Sequence, residues 1–162
     1  MELVGVRVQM PSNTPILLLR ESVGRKRIVP IHIGGPEAHA IDLALSGTPT
    51  LRPMTHDLMA SVIEGLGAVL DKVLVTEIKD GTFYAELYLR NASGGVQTLS
   101  ARPSDAVALA ARTGSPIFAE EDLIDEAGID EPESDEDEGD EEQMVEELRR
   151  FLDEVNPEDF LP

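Results

Sequence analysis

The sequence predicts an α+β fold in which helices pack on a mixed β-sheet. Several short segments alternate apolar with polar or small residues, which is typical of half-buried strands. Other segments follow a Gly or Pro break and place apolar residues at helical spacing. Because predicted strands and helices follow one another without a regular βαβ repeat, a mixed sheet is favoured over a doubly wound parallel one.

Three strands are predicted first. Residues 4–10 alternate Val or Met with small and polar side chains, which is the period of a half-buried strand. The turn-forming segment 11–13 follows. Residues 15–20 and 27–33 are rich in Ile, Leu and Val and predict two more strands.

Two helices are predicted next. Gly and Pro at positions 34–36 end the third strand, and residues 37–45 then show helical spacing of apolar side chains. Residues 55–65 are predicted as a second helix with Thr55 as its N-cap. The apolar positions of this second helix are Leu58, Val62 and Leu66.

A strand-rich block follows the helices. Residues 68–78 and 82–90 are separated by Asp80 and Gly81, a pair that favours a hairpin turn. A second turn at 91–95 leads into a strand at 96–101.

A third helix, a short strand and a fourth helix complete the predicted domain. Pro103 and Ser104 open the helix at 105–112, and Gly114 ends it. Residues 116–118 are predicted as a strand and residues 120–127 as a short helix.

The acidic charge lies behind this domain. The chain has 162 residues and a net charge of −19, yet residues 1–118 contain 11 basic and 11 acidic residues. The remaining 44 residues contain 2 basic and 21 acidic residues. Acidity of the whole chain therefore does not exclude a nucleic-acid partner for the neutral domain, since phosphate contacts depend on where its own Lys and Arg lie.

Three parts are expected along the chain: a domain at 1–127, an acidic disordered linker at 128–140, and an amphipathic helix with a tail at 141–162. The linker is almost entirely Asp, Glu, Ser, Pro and Gly, a composition that buries too little apolar surface to order. The absence of Cys excludes disulfides and thiolate chemistry. No apolar run approaches the length of a membrane span, so a cytoplasmic protein without membrane contact is expected.

Each of the first three predicted helices begins with a carboxylate after a Pro. One interpretation is structural, because Pro and acidic residues both favour the first helical turn. The other requires the three helix starts to converge on one site. Glu37, Asp57 and Asp105 are then hard oxygen ligands suited to Mg²⁺ or Mn²⁺.

The same segments offer groups for phosphate binding and proton transfer. Arg52 and Arg102 suit phosphate oxygens as planar donors, and helix N-termini bind phosphate through free N–H groups. His32 and His56 suit acid–base chemistry near neutral pH, although an ordinary sheet histidine and an exposed first-turn histidine are the alternatives.

Four ordered motifs resemble the bifunctional nuclease domain family. They lie at residues 28–41, 52–58, 80–85 and 101–110, and the resemblance covers about residues 1–123. It implies a mixed α+β fold, self-association into a homo-oligomer, and an activity that degrades both DNA and RNA. The family motifs include these positions of the chain: His32, Glu37, Arg52, His56, Asp57, Arg102, Ser104 and Asp105.

The leading hypothesis is a nuclease that hydrolyses phosphodiester bonds with the help of Mg²⁺ or Mn²⁺. Glu37, Asp57 and Asp105 are expected to hold the ion, and His56 to transfer the proton. The groups expected to bind phosphate are Arg52, Arg102, Ser104 and His32. The alternative is a non-catalytic regulatory or scaffold domain that binds an anionic ligand or a protein partner.

The acidic tail has two interpretations of its own. It is either a solvated extension or a segment that docks on its own domain and covers the cationic loops.

Overall fold

The computed structural model of the chain describes residues 1–130, and within them the predicted α+β class is confirmed. Seven strands and four helices are present in this part of the chain. The strands are β1 (Glu2–Gln9), β2 (Thr14–Arg20), β3 (Ile28–His32), β4 (Ala68–Lys79), β5 (Thr82–Asn91), β6 (Val96–Ala101) and β7 (Ile117–Ala119). The helices are α1 (Gly35–Ser46), α2 (Thr55–Gly65), α3 (Pro103–Thr113) and α4 (Glu121–Ala127).

The strands form two sheets. β1, β2 and β3 make an antiparallel sheet in that order, and the second sheet has the order β6-β5-β4-β7 with β7 parallel to β4. Period-two burial is clearest in β2, where Leu17 and Leu19 are fully buried and pair with Ile31 and Val29 of β3. The alternation read from the sequence at residues 4–10 does not mark the core side: Val4, Val8 and Met10 are exposed, whereas Leu3 and Val6 pack on the core, because the register of β1 shifts between Leu3 and Gly5.

α3 is the central helix. Five consecutive residues, from Ala106 to Ala110, are buried, so α3 is enclosed on every side along this stretch. It packs against α1, α2, β4 and β5. Three of the five residues are Ala, whose small side chain lets neighbouring backbones approach closely, while Val107 and Leu109 fill the space between them.

α2 buries a different face from the one that its apolar residues define. Leu58, Val62 and Leu66 are at least half exposed, whereas His56 is buried and Ala60 and Ile63 pack on the core. Thr55 is the first helical residue rather than the N-cap, because the Asp57 carboxylate accepts the hydrogen bond of the Met54 N–H at 2.8 Å. The predicted cap was therefore wrong by one residue.

The compact unit that contains all these elements spans Met1–Asp130. The division of the chain at residue 127 stays a prediction. The backbone of Ile129 exchanges two hydrogen bonds with Ile28, and Asp130 pairs with Arg25 at 2.9 Å. The rest of the predicted linker, the predicted C-terminal helix and its docking lie outside the described residues. No helix within residues 1–130 is long and apolar enough to cross a membrane.

Arg27 ties the loop between β2 and β3 to α4. Its guanidinium donates to both oxygens of Glu21 at 2.9–3.0 Å and to Asp125 at 2.6 Å, and the Arg27 side chain is only 11% exposed. Hydrogen bonds from the Arg27 side chain and backbone lower the pKa of Glu21 from 4.5 to about 2.

The Glu21–Arg27 ion pair predicts that Glu21→Gln is less stable than wild type, by an amount that depends on pH. Since the folded-state pKa of Glu21 is depressed, its stabilising effect is complete above about pH 5 and is lost as the pH falls towards 2. We expect a lower melting temperature than wild type at pH 7 and a difference that vanishes near pH 2. Asp71→Asn, which breaks an exposed pair with Arg90, is the matched control and should shift the melting temperature less. An equal shift at pH 7 and pH 2 would contradict the assignment.

The burial of Leu109 in α3 and the exposure of Leu58 in α2 predict a large loss of stability for one Leu→Ala variant and a small loss for the other. Leu109→Ala removes a fully buried side chain and should lower the free energy of unfolding by about 2–5 kcal/mol. Leu58→Ala changes a side chain that is 57% exposed and should lower it by less than about 0.5 kcal/mol in the monomer. Urea unfolding measures both. A large, concentration-dependent cost for Leu58→Ala would show that another copy covers α2.

Candidate functional site

The side chains singled out in the sequence meet where three helices begin. α1 carries Glu37 in its first turn, α2 carries His56, and α3 starts directly after Arg102 and carries Asp105. Hydrogen bonds between Arg102 and Glu37 and between His56 and Asp105 join the first turns of α1 and α2 to the start of α3. Four charged or titratable groups from distant parts of the chain thereby form one connected network.

Arg102 joins two carboxylates of this network. Its Nε donates to Oδ2 of Asp105 at 2.7 Å, and its Nη2 donates to Oδ1 of Asp105 at 3.1 Å and to Oε1 of Glu37 at 2.8 Å. These bonds, led by those to Asp105, raise the pKa of Arg102. The Glu37 carboxylate lies directly over Gly34, so a Cβ atom at position 34 would displace its Oε2 from the present position.

Asp105 also orients His56. Burial opposes the ionisation of Asp105, but hydrogen bonds from Arg102 and His56 outweigh it, and the pKa of Asp105 lies below its ordinary value. Nε2 of His56 lies 3.1 Å from Oδ1 of Asp105. Since an ionised carboxylate only accepts hydrogen bonds, Nε2 carries the proton and the neutral ring keeps its lone pair on Nδ1.

Nδ1 of His56 retains some exposure to solvent. His56 is only 7% exposed, and among residues 1–130 its ring bonds only to Asp105. No buried side-chain nitrogen or oxygen in that part of the chain lacks a partner, so Nδ1 is not sealed inside the protein. A histidine held by a carboxylate at one nitrogen and accessible at the other has the geometry of a general base.

His56 lines a cavity of about 280 Å³, here named the His56 cavity. The first turns of all three helices contribute to its wall. Its charged and titratable lining residues are Glu37, His39, His56, Arg102 and Asp105.

His39 is a residue of this cavity that the sequence hypothesis left out. It is exposed on α1 and lies on the same helical face as Pro36, Ala40 and Leu43, which line the same cavity. These four residues are spaced i, i+3, i+4 and i+7, which places them on one face of a helix. This spacing could have shown from the sequence that His39 lies on the same face as Pro36 at the start of α1.

Asp57 points away from the network. Its Oδ1 accepts a short hydrogen bond from Nε of Arg112, in the last turn of α3, and its Oδ2 accepts the Met54 N–H. The bond from Arg112 is the main cause of a lowered pKa for Asp57. Asp57 therefore caps α2 and ties it to α3. No sequence pattern marked Arg112, because its partner lies 55 residues away.

The predicted metal site of Glu37, Asp57 and Asp105 is not assembled. Arg102 already binds both Glu37 and Asp105, and Asp57 is bound to Arg112. Within the described residues, no group of three or more His, Asp or Glu side chains could hold a metal ion. A divalent ion between Glu37 and Asp105 would have to displace the Arg102 guanidinium, so these donors do not fit an Mg²⁺ or Mn²⁺ site.

Two of the predicted phosphate-binding residues besides Arg102 line a second cavity of about 380 Å³. His32 and Ser104 lie there, and we name it the Ser104 cavity. Among residues 1–130, Arg102 is the one that lines both cavities. Arg52 lines neither of the two, and the structure does not bring it into the network.

The geometry predicts an observable ring proton on His56. A histidine N–H that is bonded to a carboxylate exchanges slowly with water, so one Nε2–H resonance should appear in the NMR spectrum of ¹⁵N-labelled protein at neutral pH. Asp105→Ala should remove it, and Asp71→Ala on the exposed face of β4 should leave it in place. A protected proton on Nδ1 instead would refute the tautomer.

Comparison with known proteins places the chain in a family. Two curated proteins of Mycobacterium tuberculosis, Uncharacterized protein MT1877 of strain CDC 1551 and Uncharacterized protein Rv1829 of strain H37Rv, are each 44% identical over 161 residues. The match covers 97% of this chain and 94% of each relative, so it includes most of the acidic segment after residue 130. The model of the bifunctional nuclease domain matches residues 17–132, which contain the whole Glu37–His56–Arg102–Asp105 network. The chain belongs to the bifunctional nuclease domain family.

Proposed function

We propose that the protein is a nuclease that hydrolyses phosphodiester bonds of DNA and RNA, with His56 as its general base. The observation that supports this most strongly is the buried His56–Asp105 pair in the wall of a cavity that also contains Arg102. Membership in the bifunctional nuclease domain family supports the choice of nucleic acid as the substrate.

The chemistry requires a proton acceptor beside the attacking oxygen. Nδ1 of His56 takes the proton from a water molecule as its oxygen forms a bond to phosphorus. Asp105 stabilises the imidazolium that results, and it holds the ring in place throughout. The bond between phosphorus and the leaving sugar oxygen breaks, and that oxygen takes a proton from His39 in its protonated form.

Arg102 opposes the charge that develops on the phosphate. Its Nε and Nη2 are bound to carboxylates, whereas Nη1 has no partner among residues 1–130. Nη1 therefore remains available to donate to a non-bridging phosphate oxygen. Asp105 is a positioning residue in this scheme, and no step passes through a metal ion.

A non-catalytic domain that binds an anionic ligand or a protein is the second candidate. The charge balance of the domain favours it. In the described part of the chain, these six arginines are engaged by carboxylates: Arg20, Arg25, Arg27, Arg90, Arg102 and Arg112. Ion pairing of this extent weakens the attraction for a long polyanion, because fewer cations remain to replace condensed counterions.

Self-association stays a prediction from the family resemblance. The exposed apolar residues Leu58 and Val62 of α2 and Leu66 directly after it support self-association, because large apolar side chains side by side on a surface are a common contact site.

Cleavage assays distinguish the two candidates. We expect the full chain to cleave end-labelled single-stranded DNA and RNA, and His56→Gln to lower kcat by about 10²- to 10⁴-fold, the usual effect of a general base. Asp105→Asn should also lower kcat. Asp71→Asn, purified in the same way, is the control and should match wild type. EDTA should leave the activity in place under this mechanism, and added Mg²⁺ or Mn²⁺ tests the metal dependence predicted from the sequence.

Equal cleavage by wild type and His56→Gln would identify a contaminating nuclease or another mechanism and would refute the proposal. Binding of an oligonucleotide without cleavage would establish the second candidate.

A further inference from the structure

The Ser104 cavity is distinct from the cavity that holds His56. β3, the tip of the β4–β5 hairpin and the start of α3 enclose it. Its volume of about 380 Å³ is at the lower end of the range for small-molecule pockets. It therefore suits a ligand of about the size of one nucleotide rather than an extended strand.

Ser104 presents an unused hydroxyl to this cavity. The residue is only 6% exposed, and among residues 1–130 its side chain makes no hydrogen bond. No buried side-chain oxygen in the same part of the chain lacks a partner, so Oγ opens on the cavity that Ser104 lines. A nearly buried hydroxyl without a hydrogen-bond partner in the protein is available to bond to a ligand or to water.

The start of α3 adds a backbone donor, the N–H of Ser104. Arg102 at the N-cap makes no side-chain cap bond, and Pro103 has no N–H. The N–H of Ser104 is therefore uncapped at the positive end of an 11-residue helix. Backbone N–H groups in this position bind phosphate oxygens.

Two side chains complete the polar lining. Arg102 contributes Nη1, which is free of the carboxylates that hold the rest of its guanidinium. His32 is exposed at the cavity wall, where its Nε2 lies 3.3 Å from Oε1 of Gln9. Glu37 and Asp105 line the His56 cavity and not this one, but the Glu37 carboxylate lies beside Gly34, which is part of the wall of the Ser104 cavity.

We propose that the Ser104 cavity is a binding site for a phosphate monoester. The hydroxyl and N–H of Ser104 and one of the two N–H groups of Arg102 Nη1 donate to the phosphate oxygens. The site recognises the phosphate through hydrogen bonds more than through net charge, because Arg102 is already balanced by carboxylates. A terminal phosphate, with more unbridged oxygens than an internal phosphodiester, gives these donors more acceptors.

The position of Arg102 between the two cavities extends this inference to the substrate. A terminal phosphate held in the Ser104 cavity would place the adjoining nucleotide beside the His56 cavity. The protein would then act on phosphorylated ends of nucleic acid. This assignment of the substrate end depends on the proposed nuclease function, whereas phosphate binding itself does not.

Amide chemical shifts test the binding site directly. Sodium phosphate and adenosine 5′-monophosphate, each titrated into the ¹⁵N-labelled full chain in chloride buffer, should shift the Ser104 and Asp105 N–H resonances in a saturable way. Adenosine should leave both unchanged. Ser104→Ala should weaken binding of the monophosphate about 10-fold, since it removes one hydrogen bond to a charged group. Ser61→Ala is the matched control, because the Ser61 hydroxyl bonds within α2 and lies outside both cavities.

Failure to saturate the Ser104 and Asp105 resonances of the wild-type chain would overturn the site, and this measurement does not depend on whether any variant folds. Equal affinity of Ser104→Ala and wild type would also overturn it.

The substrate assignment has a separate test. An oligonucleotide with a 5′- or 3′-terminal phosphate should be cleaved faster than the same oligonucleotide without one, and Ser104→Ala should remove the difference. Saturable phosphate binding in a chain that cleaves nothing would refute the nuclease and leave the binding site standing. Cleavage without saturable phosphate binding would refute the binding site and leave the nuclease standing. Equal cleavage of both oligonucleotides would overturn the end preference alone.

Discussion

Five consecutive buried residues in α3, from Ala106 to Ala110, impose the main constraint on this domain. A helix enclosed on all sides needs neighbours around it, and here α1, α2, β4 and β5 supply them. In this arrangement, hydrogen bonds join the start of α3 to the first turns of α1 and α2. The Glu37–Arg102–Asp105–His56 network therefore depends on how the core packs. A shift in the position of α3 would disturb the contacts among all four groups.

Arg102 supplies the positive charge between the two carboxylates of this region. Two carboxylates this close to each other and to a buried histidine would repel one another without a cation between them. The guanidinium takes that position, which is also the position that a divalent ion would need. The same arrangement keeps Asp105 ionised, and an ionised Asp105 determines which nitrogen of His56 carries the proton.

The two cavities on either side of Arg102 differ in chemistry. The His56 cavity contains carboxylates and two histidines, which suit proton transfer. The Ser104 cavity offers neutral donors from a helix start and a serine, which suit the binding of an anion without a large excess of positive charge. This division agrees with a domain whose basic and acidic residues balance, because hydrogen-bond recognition needs no strongly basic surface.

The sequence by itself determined the α+β class, the order of the elements and most of their bounds, since periodicity and turn residues are local signals. It also pointed to the helix starts, through Pro and acidic residues that act within a single turn. Only the tertiary structure decided which groups meet: Asp57 and Asp105 occupy similar positions in their helices, yet one binds Arg112 and the other binds His56 and Arg102. It likewise turned His56 inward and the apolar residues of α2 outward, because a carboxylate from α3 stabilises a buried histidine there. Contacts between residues 49 to 65 positions apart leave no periodic trace in a single chain, and the site consists of such contacts.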